Sequence, residues 1–549
     1  MSKKKKIFNL LFVILFILCV GFFFKNNVSI KIYRHFKAAI STETESTSHN
    51  EKYGGTLVLG TSNAPAIINP ILTQHSVSVI LIGLIFDSLI RVDESGNVVP
   101  GLAYKWDISD DGLDYIFYLR EDVYFHDGVP LTAEDVKFTY DLHRSKNIPS
   151  FRYVSYDAVQ DIVVLDKLTI KVSLKKKNIF FLRRLLSSIV PKHVYEGKNL
   201  AEADFNYAPV GSGIYKFHSW NKTTNQIELV VNEHYFDDRA NLDRIIIRTY
   251  KTIPQLWAAL LRGEVDLIKY ISRKDYNVLK KDPTFQTFKI VGFIFSAIYF
   301  NPDSQLLSDP EVRKAVSMSI DRKQLIDALS QGGAECYSPL SMDRDKESDT
   351  YRYDPLKAKL KLMHRGWMDA DGDGILEKDL QDFEIRLMVN QRSDFFTKLA
   401  LLLRQQLSEV GIKVTILLYA DESDLNTDYV RTHRANAWLR FFMGGTRDED
   451  RLYPILGTWS SSSNLFGQIW KYHNPEIDRI FNAVSQADKP DREKLFRQAG
   501  QILFEDQPVS CLFYTEDYHA VSARIKNVEF FFYGYVSAYS IKDWYIQDH

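Results

Sequence analysis

Apolar residues recur along this chain with two periods, which predict strands and helices in alternation. A β-branched and apolar run from Thr56 to Leu59 predicts a buried strand, and apolar residues at helical spacing follow from Ser78 to Ile90. The segment from Ser393 to Val410 carries one apolar stripe at helical spacing, and a predicted strand follows from Ile412 to Tyr419. Alternation of this kind predicts a mostly parallel sheet covered by helices.

A second pattern, alternation of polar and apolar residues, predicts antiparallel strands from Tyr115 to Leu119 and from Leu168 to Val172. Between these strands, Thr132 stands at a helix N-cap position and Asp135 completes a capping box. Together these elements predict a smaller α/β insert.

The amino terminus carries an export signal. Lys3 to Lys6 precede an apolar run from Ile7 to Phe24, which fits either a signal sequence or an uncleaved signal anchor. We favour the anchor, because Phe22 to Phe24 stand where a peptidase needs small residues. The polar stretch from Ser41 to Glu51 predicts a flexible tether, and the body that follows is expected outside the cytoplasmic membrane.

Composition excludes several classes of function. The 549 residues exceed the roughly 250–300 at which one core stops growing, so several domains are expected. With 69 basic and 70 acidic residues, the chain has no net field that attracts nucleic acid. Motifs for a hydrolase elbow, a phosphate loop or a zinc protease are absent, so we expect neither an enzyme nor a cofactor. Cys336 and Cys511 allow one disulfide, but their apolar neighbours favour two buried free thiols.

One acidic turn matches half of a calcium site. Asp369, Asp371, Asp373 and Gly374 reproduce the first half of an EF-hand loop, in which alternate carboxylates surround a hard cation. The twelfth position, which requires a bidentate glutamate, is Leu380. We therefore predict a structural turn without a metal, and a weak, partly hydrated Ca²⁺ site is the alternative.

Several short motifs stand between residues 86 and 136. They are Phe86-Asp87-Ser88-Leu89-Ile90, Pro100-Gly101-Leu102-Ala103, Trp106, Phe125-His126-Asp127-Gly128 and Thr132-Ala133-Glu134-Asp135-Val136. With these motifs the chain resembles the family 5 extracellular solute-binding proteins, the peptide and nickel receptors that deliver ligand to ABC importers. The resemblance extends over nearly the whole chain after Lys52.

This resemblance implies an α/β protein with the two-lobed periplasmic-binding-protein-like fold of type II. It includes an extra α/β insert domain, mixed sheets covered by helices, and a ligand cleft between the lobes. The implied divisions are a signal sequence or anchor (1–25), a tether (26–52), lobe I (53–98, 209–300 and 510–549), the insert domain (99–208) and lobe II (301–509).

The family's peptide receptors bind an extended peptide through its backbone, between segments of the two lobes. Carried onto this chain, the first segment is Thr73–Ser76 and the second is Phe441–Gly445, with aromatic residues nearby as cleft walls or as sheet core. The predicted ligand contacts are Thr73, Gln74, His75, Ser76, Phe295, Tyr299, Phe441, Phe442, Met443, Gly444, Gly445, Asp448 and Trp459.

One departure from the family concerns the ligand's free amino group. Peptide receptors of the family hold this group with an aspartate just after the second segment, where this chain has Gly445. A buried ammonium without a carboxylate costs several kcal/mol. Either Asp448 replaces the aspartate, or the ligand lacks a free amine, as a blocked peptide, a cell-wall fragment, an oligosaccharide or a metal chelate would.

These observations predict a monomeric receptor that captures a peptide and hands it to the permease subunits of an ABC importer. It would be periplasmic, or anchored to the outer face of the cytoplasmic membrane by residues 7–24. The alternative is a membrane-tethered interaction protein that has kept the fold and lost the transport role.

Overall fold

A computed structural model describes residues 52–73, 76–93, 97–148, 150, 156, 158–301, 303–329, 332–340, 351–391, 393–420, 434–443, 456, 472–487, 489–530 and 538–547. The predicted leader, and the tether up to residue 51, lie outside these residues. Gly55 to His549 form one compact unit.

Helices and strands alternate along this unit. The helices are α1 (Ser76–Ile85), α2 (Ala133–Arg144), α3 (Phe181–Arg184), α4 (Lys192–Tyr195), α5 (Ile253–Leu261), α6 (Arg273–Leu279), α7 (Pro310–Met318), α8 (Arg322–Leu329), α9 (Pro355–His364), α10 (Asp394–Ser408), α11 (Pro475–Val484), α12 (Lys489–Asp506) and α13 (Ala538–Ile541).

The strands are β1 (Thr56–Thr61), β2 (Ile90–Val92), β3 (Val98–Pro100), β4 (Ala103–Ile108), β5 (Asp114–Leu119), β6 (Val159–Asp166), β7 (Thr169–Leu174), β8 (Tyr215–Asn221), β9 (Gln226–Val231), β10 (Arg244–Thr249), β11 (Leu267–Lys269), β12 (Phe285–Phe300), β13 (Gly333–Glu335), β14 (Glu377–Lys378), β15 (Gln381–Asp382), β16 (Glu384–Asn390), β17 (Lys413–Tyr419), β18 (Ala437–Met443), β19 (Val509–Ser522), β20 (Ile525–Lys526) and β21 (Tyr545–Ile546).

Eleven of the described strands form one mixed sheet, in the order β17-β16-β18-β12-β19-β11-β1-β10-β9-β8, with β13 added beside β19. The expectation of a mostly parallel sheet is wrong. β1 pairs parallel with β10 and β11, and β16 pairs parallel with β17 and β18, but β12 and β19 pair antiparallel with each other and β8, β9 and β10 form an antiparallel meander. Local strand and helix patterns do not fix the direction of strands that pair across a long stretch of chain.

Individual elements follow the predicted patterns closely. The stripe of α10 is buried at Phe396, Leu399, Ala400, Leu403 and Leu407, and Ser393 caps the helix by accepting from Phe396 N. The capping box of Thr132 and Asp135 at the start of α2 is present. The first predicted helix ends early, at Ile85; beyond it the Asp87 carboxylate accepts from Tyr235 and Ser212, and Ser88 O accepts from Leu102 N.

A separate four-stranded sheet, β4-β5-β7-β6, packs with α2 around its own core of buried residues that include Phe117, Tyr140 and Ile170. It occupies the part of the chain that the resemblance assigns to an insert domain. The predicted domain limits themselves stay a prediction.

Asp87 holds one joint between this core and the large sheet. Its carboxylate accepts from Tyr235 Oη at 2.8 Å, from Ser212 Oγ at 3.1 Å and from an Arg91 nitrogen at 3.0 Å. Burial raises the pKa of Asp87, and the charge of Arg91 together with these hydrogen bonds opposes that rise. The motif residue Asp87 therefore joins segments that lie far apart in the sequence.

His126 holds a second joint, against the glycines that precede β8. Its Nε2 lies 2.9 Å from Gly213 O, and its Nδ1 accepts from Gly211 N at 3.4 Å. A Cβ added at Gly211 would lie 2.0 Å from the carbonyl oxygen of Ile85, and one added at Gly213 would lie 2.4 Å from that of Leu84. Only glycine therefore fits at these two positions. Burial lowers the pKa of His126 to about 4, which keeps the ring neutral at pH 7.

Cys336 and Cys511 are both buried and free, as expected. Between them the buried Arg322 donates through Nε to Cys511 O at 2.8 Å and to Cys336 O at 3.1 Å. Burial lowers the pKa of Arg322. The carbonyl oxygens around this guanidinium fix β13 and β19 to the start of α8.

We predict that Asp87→Ala lowers the free energy of unfolding by about 3 kcal/mol, because Arg91 and Tyr235 lose a buried partner. Chemical denaturation followed by circular dichroism would measure this change. Glu264→Ala is the control, because its ion pair with Arg262 is solvent-exposed and should contribute little. Equal effects of the two substitutions would contradict the role given to Asp87.

A second prediction concerns pH. His126 has a folded pKa of about 4, below the unfolded value near 6.5, so its stabilising contribution is complete above about pH 6.5 and is lost as the pH falls toward 4. We expect His126→Gln to reduce the slope of unfolding free energy against pH between pH 7 and 4.5. The control His234→Gln, at an exposed position, should keep the wild-type slope. An unchanged slope in His126→Gln would refute the assignment.

Candidate functional site

Two long strands connect the two halves of the large sheet. β12 pairs with β18 at one end and with β19 along most of its length, and β19 also pairs with β11. The pairing of β12 with β19 changes register between Val291 and Phe295. Register changes bend and twist a strand pair. We call residues 291–295 and 514–517 the hinge segment.

Two strands that lead to the predicted ligand-binding segments end beside the hinge segment: β1, which precedes the first of them, and β18, which contains the start of the second. β1 runs parallel to β11 with Gly60 opposite Ile268, so it ends level with Lys269, which pairs with His519. β18 ends at Met443, opposite Ile294. The two strand ends therefore approach the hinge segment from opposite halves of the sheet.

Asn69 fixes the turn that follows β1. Its buried side chain donates to Asn206 Oδ1 at 2.7 Å and accepts from Ile71 N at 2.9 Å, and its carbonyl oxygen accepts from Thr73 N at 3.2 Å. Of the first predicted segment, Thr73 is half-buried and Ser76 begins α1. Gln74 and His75 lie outside the described residues.

The hydrophobic core that each residue joins assigns residues at and near the hinge segment to one face of the sheet. Tyr518 and Ala520 pack with α5 and α6, whereas Val521 belongs to the core around α1. In the other half, Phe295 and Tyr514 belong to the core around α11 and α12. Because the chain after β1 leads into α1 and the chain after β18 leads into α11, we call this side the cleft face.

The aromatic residues predicted near the cleft lie in the protein's interior. Phe295 and Tyr299 are fully buried, and both rings stack near Phe442, with centroids 5.8 Å and 6.2 Å away. This is the sheet-core arrangement that the sequence left open beside a cleft wall. Contact of these residues with ligand stays a prediction.

The second predicted segment is described only in part. Phe442 packs on the cleft face, but Phe441 is 40 % exposed and lies on the opposite face, 4.6 Å from Phe396 between ring centroids. Met443 is the last residue of β18. Gly444, Gly445, Asp448 and Trp459 lie outside the described residues, so their roles stay predictions.

Sequence reasoning missed a group of ionisable residues on the cleft face. Lys269 on β11 lies directly opposite His519 on β19. Asp517 lies two residues before His519 on β19, within the hinge segment. Burial lowers the pKa of Lys269 to about 8 and that of His519 to about 3, and burial raises the pKa of Asp517 to about 6. A signal was available, because charged residues interrupt an otherwise apolar strand between Tyr514 and Ser522.

The opposite face carries a cavity of about 520 Å³, away from the strand ends. Its lining includes Arg273, Lys280 and Lys323, and the ion pair between Lys289 and Glu516 at 3.1 Å. The cavity is rimmed by exposed side chains of α6 and α8. Size alone does not make it the ligand site, because the two predicted binding segments lead to the other face.

A contact outside the hinge also links the two sides of the cleft face. Ile179 N donates to Ser485 O at 3.2 Å, and the neighbouring Phe180 is 4 % exposed in the core of α11 and α12. Its ring meets Phe496 edge-on at 6.5 Å. The segment before α3 therefore packs against elements that follow β18.

The acidic turn satisfies its carboxylates from its own backbone. Asp369 Oδ1 accepts from Gly372 N at 2.8 Å and Asp373 Oδ1 accepts from Ile375 N at 2.8 Å. The three aspartates are exposed, with one oxygen of each within 4.8 Å of the others. Leu380, at the position of the missing glutamate, is fully exposed. This geometry favours the predicted structural turn.

We therefore expect a chelator to leave the thermal unfolding temperature unchanged, because exposed carboxylates that already accept backbone hydrogen bonds bind Ca²⁺ weakly. Differential scanning calorimetry with and without EDTA measures this. Asp371→Asn should give the same result as the wild type. A fall of several degrees with EDTA in the wild type alone would establish a metal site.

The mixed sheet, whose two halves are joined by two long strands, is the architecture of a two-lobed binding protein. The model of the bacterial extracellular solute-binding proteins, family 5, matches residues 97–465. The chain belongs to this family. Its members are binding receptors and not enzymes, which agrees with the expectation at the level of the family.

Relatives match over almost the whole chain. The oligopeptide-binding protein AppA of Bacillus subtilis is 29 % identical over 535 residues, which cover 93 % of this chain and 96 % of AppA. The solved structure of B. subtilis AppA in complex with a nonapeptide has a TM-score of 0.75 at 25 % identity, covering 91 % of this chain and 100 % of that one. NikZ from Campylobacter jejuni in complex with Ni(L-His) also has a TM-score of 0.75, at 26 % identity and coverages of 89 % and 99 %.

Proposed function

We propose that this protein captures an extended peptide on the cleft face and delivers it to the permease of an ABC importer. The observation that carries the proposal is the similarity to an oligopeptide-binding protein over more than nine-tenths of both chains. The arrangement of the two strand ends supports it, because an extended peptide between them meets backbone groups from both halves. Backbone recognition gives affinity with little choice of side chain.

We also propose a monomer with the predicted domain limits. It is periplasmic, or it is anchored to the outer face of the cytoplasmic membrane by residues 7–24. Among the residues that the model describes, no helix has the length and apolarity to cross a membrane. The apolar run of the leader lies outside them.

A metal chelate is the second candidate ligand. It is favoured by Gly445, which stands where the family's peptide receptors have their amine-binding aspartate, and by the similarity to a solved structure that holds Ni(L-His). In such a receptor the ligand would need no ammonium partner.

Isothermal titration calorimetry with the full chain in detergent would distinguish these candidates. We expect pentapeptides of different sequence to bind with affinities within about tenfold of each other, because the backbone provides the contacts. A backbone N-methylated pentapeptide, which lacks the donors, is the matched control and should bind much more weakly. Binding of Ni(L-His) without binding of any peptide would contradict the proposal.

A further inference from the structure

Asp517 lies at the centre of the cleft face. It follows Glu516 on β19 and stands opposite Ile290 of β12, next to the register change of the hinge. The end of β1, level with Lys269, lies on one side of it and the end of β18, at Met443, lies on the other. A ligand held between these strand ends passes over this carboxylate.

Neighbouring acids of the same strand are differently placed. Glu516 lies on the opposite face, where it pairs with Lys289 at 3.1 Å and accepts from Tyr518 Oη. The carboxylate of Asp517 has neither a hydrogen bond nor an ion pair within 4 Å among the described residues. The charge of Lys269 acts on it and opposes the effect of burial on its pKa.

A half-buried carboxylate without hydrogen-bond donors carries a cost in free energy. Burial raises its pKa to about 6, and the charge of Lys269 does not cancel this rise. A ligand that brings an ammonium group would supply both the missing donors and the missing charge.

We propose that Asp517 determines specificity by binding an ammonium group of the ligand, either a free α-amino group or a lysine-type side chain. This inference deepens the proposed function, on which it rests for the peptide nature of the ligand. Gly445 provides no acid where the family's peptide receptors have an aspartate. The inference places the acid on the hinge strand β19 and not in the segment that contains Asp448.

The test compares Asp517→Asn, Asp448→Asn and the control Glu516→Gln in the full chain purified in detergent. Calorimetry at pH 7.5 uses pentaalanine with a free amino terminus, acetyl-pentaalanine, and acetyl-Ala-Ala-Lys-Ala-Ala. Glu516→Gln changes the neighbouring acid on the other face and should leave all affinities unchanged. Unfolding temperatures of the variants verify that each one is folded.

For the wild type we expect acetylation of pentaalanine to weaken binding by roughly thirtyfold or more, the lower end for removing one partner of a buried charge pair. In Asp517→Asn the free and acetylated peptides should bind alike. Recovery of binding by the lysine peptide would assign the ammonium to a side chain, and its failure to recover would assign it to the amino terminus. A preference that survives in Asp517→Asn, or is lost in Asp448→Asn, overturns the proposal.

Mass spectrometry of molecules released from the wild type and from Asp517→Asn separates this inference from the proposed function. Cationic molecules that are not peptides, held by the wild type and absent from Asp517→Asn, would support Asp517 and refute the peptide ligand. Peptides retained equally by the wild type and by Asp517→Asn would support the peptide ligand and refute the role of Asp517. Wild-type protein that holds and binds no cationic molecule would overturn both.

Discussion

Seven residues of β12 pair with β19 before the register change at Val291, and five pair after it. These two strands thus belong to both halves of the sheet, and every other element of the cleft is placed relative to them. The register change alters which side chains reach the cleft face: Phe288 and Phe295 both lie on it although they are seven positions apart, an odd spacing that would put them on opposite faces of a regular strand. We expect lobe closure to bend the sheet at this point, driven by contacts that ligand makes with both halves.

The motifs through which the chain resembles its family have a structural role that is separate from ligand binding. Asp87 and His126 tie the insert sheet to the large sheet through buried hydrogen bonds, and the glycines near β8 allow the close approach of the segment at the end of α1. Fold-determining joints of this kind are compatible with many ligands. The proteins similar to this chain include an oligopeptide-binding protein, a heme-binding protein and a structure in complex with Ni(L-His).

Features that depend on interactions between residues close in the sequence could be predicted, whereas features that depend on long-range interactions could not. The stripe of α10, the capping box of α2 and the strand β1 follow from local patterns, and all were predicted. The direction and register of the β12–β19 pair arise from residues more than two hundred positions apart, so local periodicity could not give them. Asp517 was missed for the same reason, because its face and its neighbours depend on that register. Phe295 and Tyr299 were singled out in the sequence because they are aromatic. Whether such a residue lies in the core or lines the cleft depends on its burial, which only the structure gives.

The central claim is that the cleft face holds a peptide. Native mass spectrometry of the full chain as purified in detergent, followed by denaturation and identification of the released molecules, tests it most directly. We expect a mixture of peptides of varied sequence. A released metal chelate, a sugar or another single non-peptide species would contradict it.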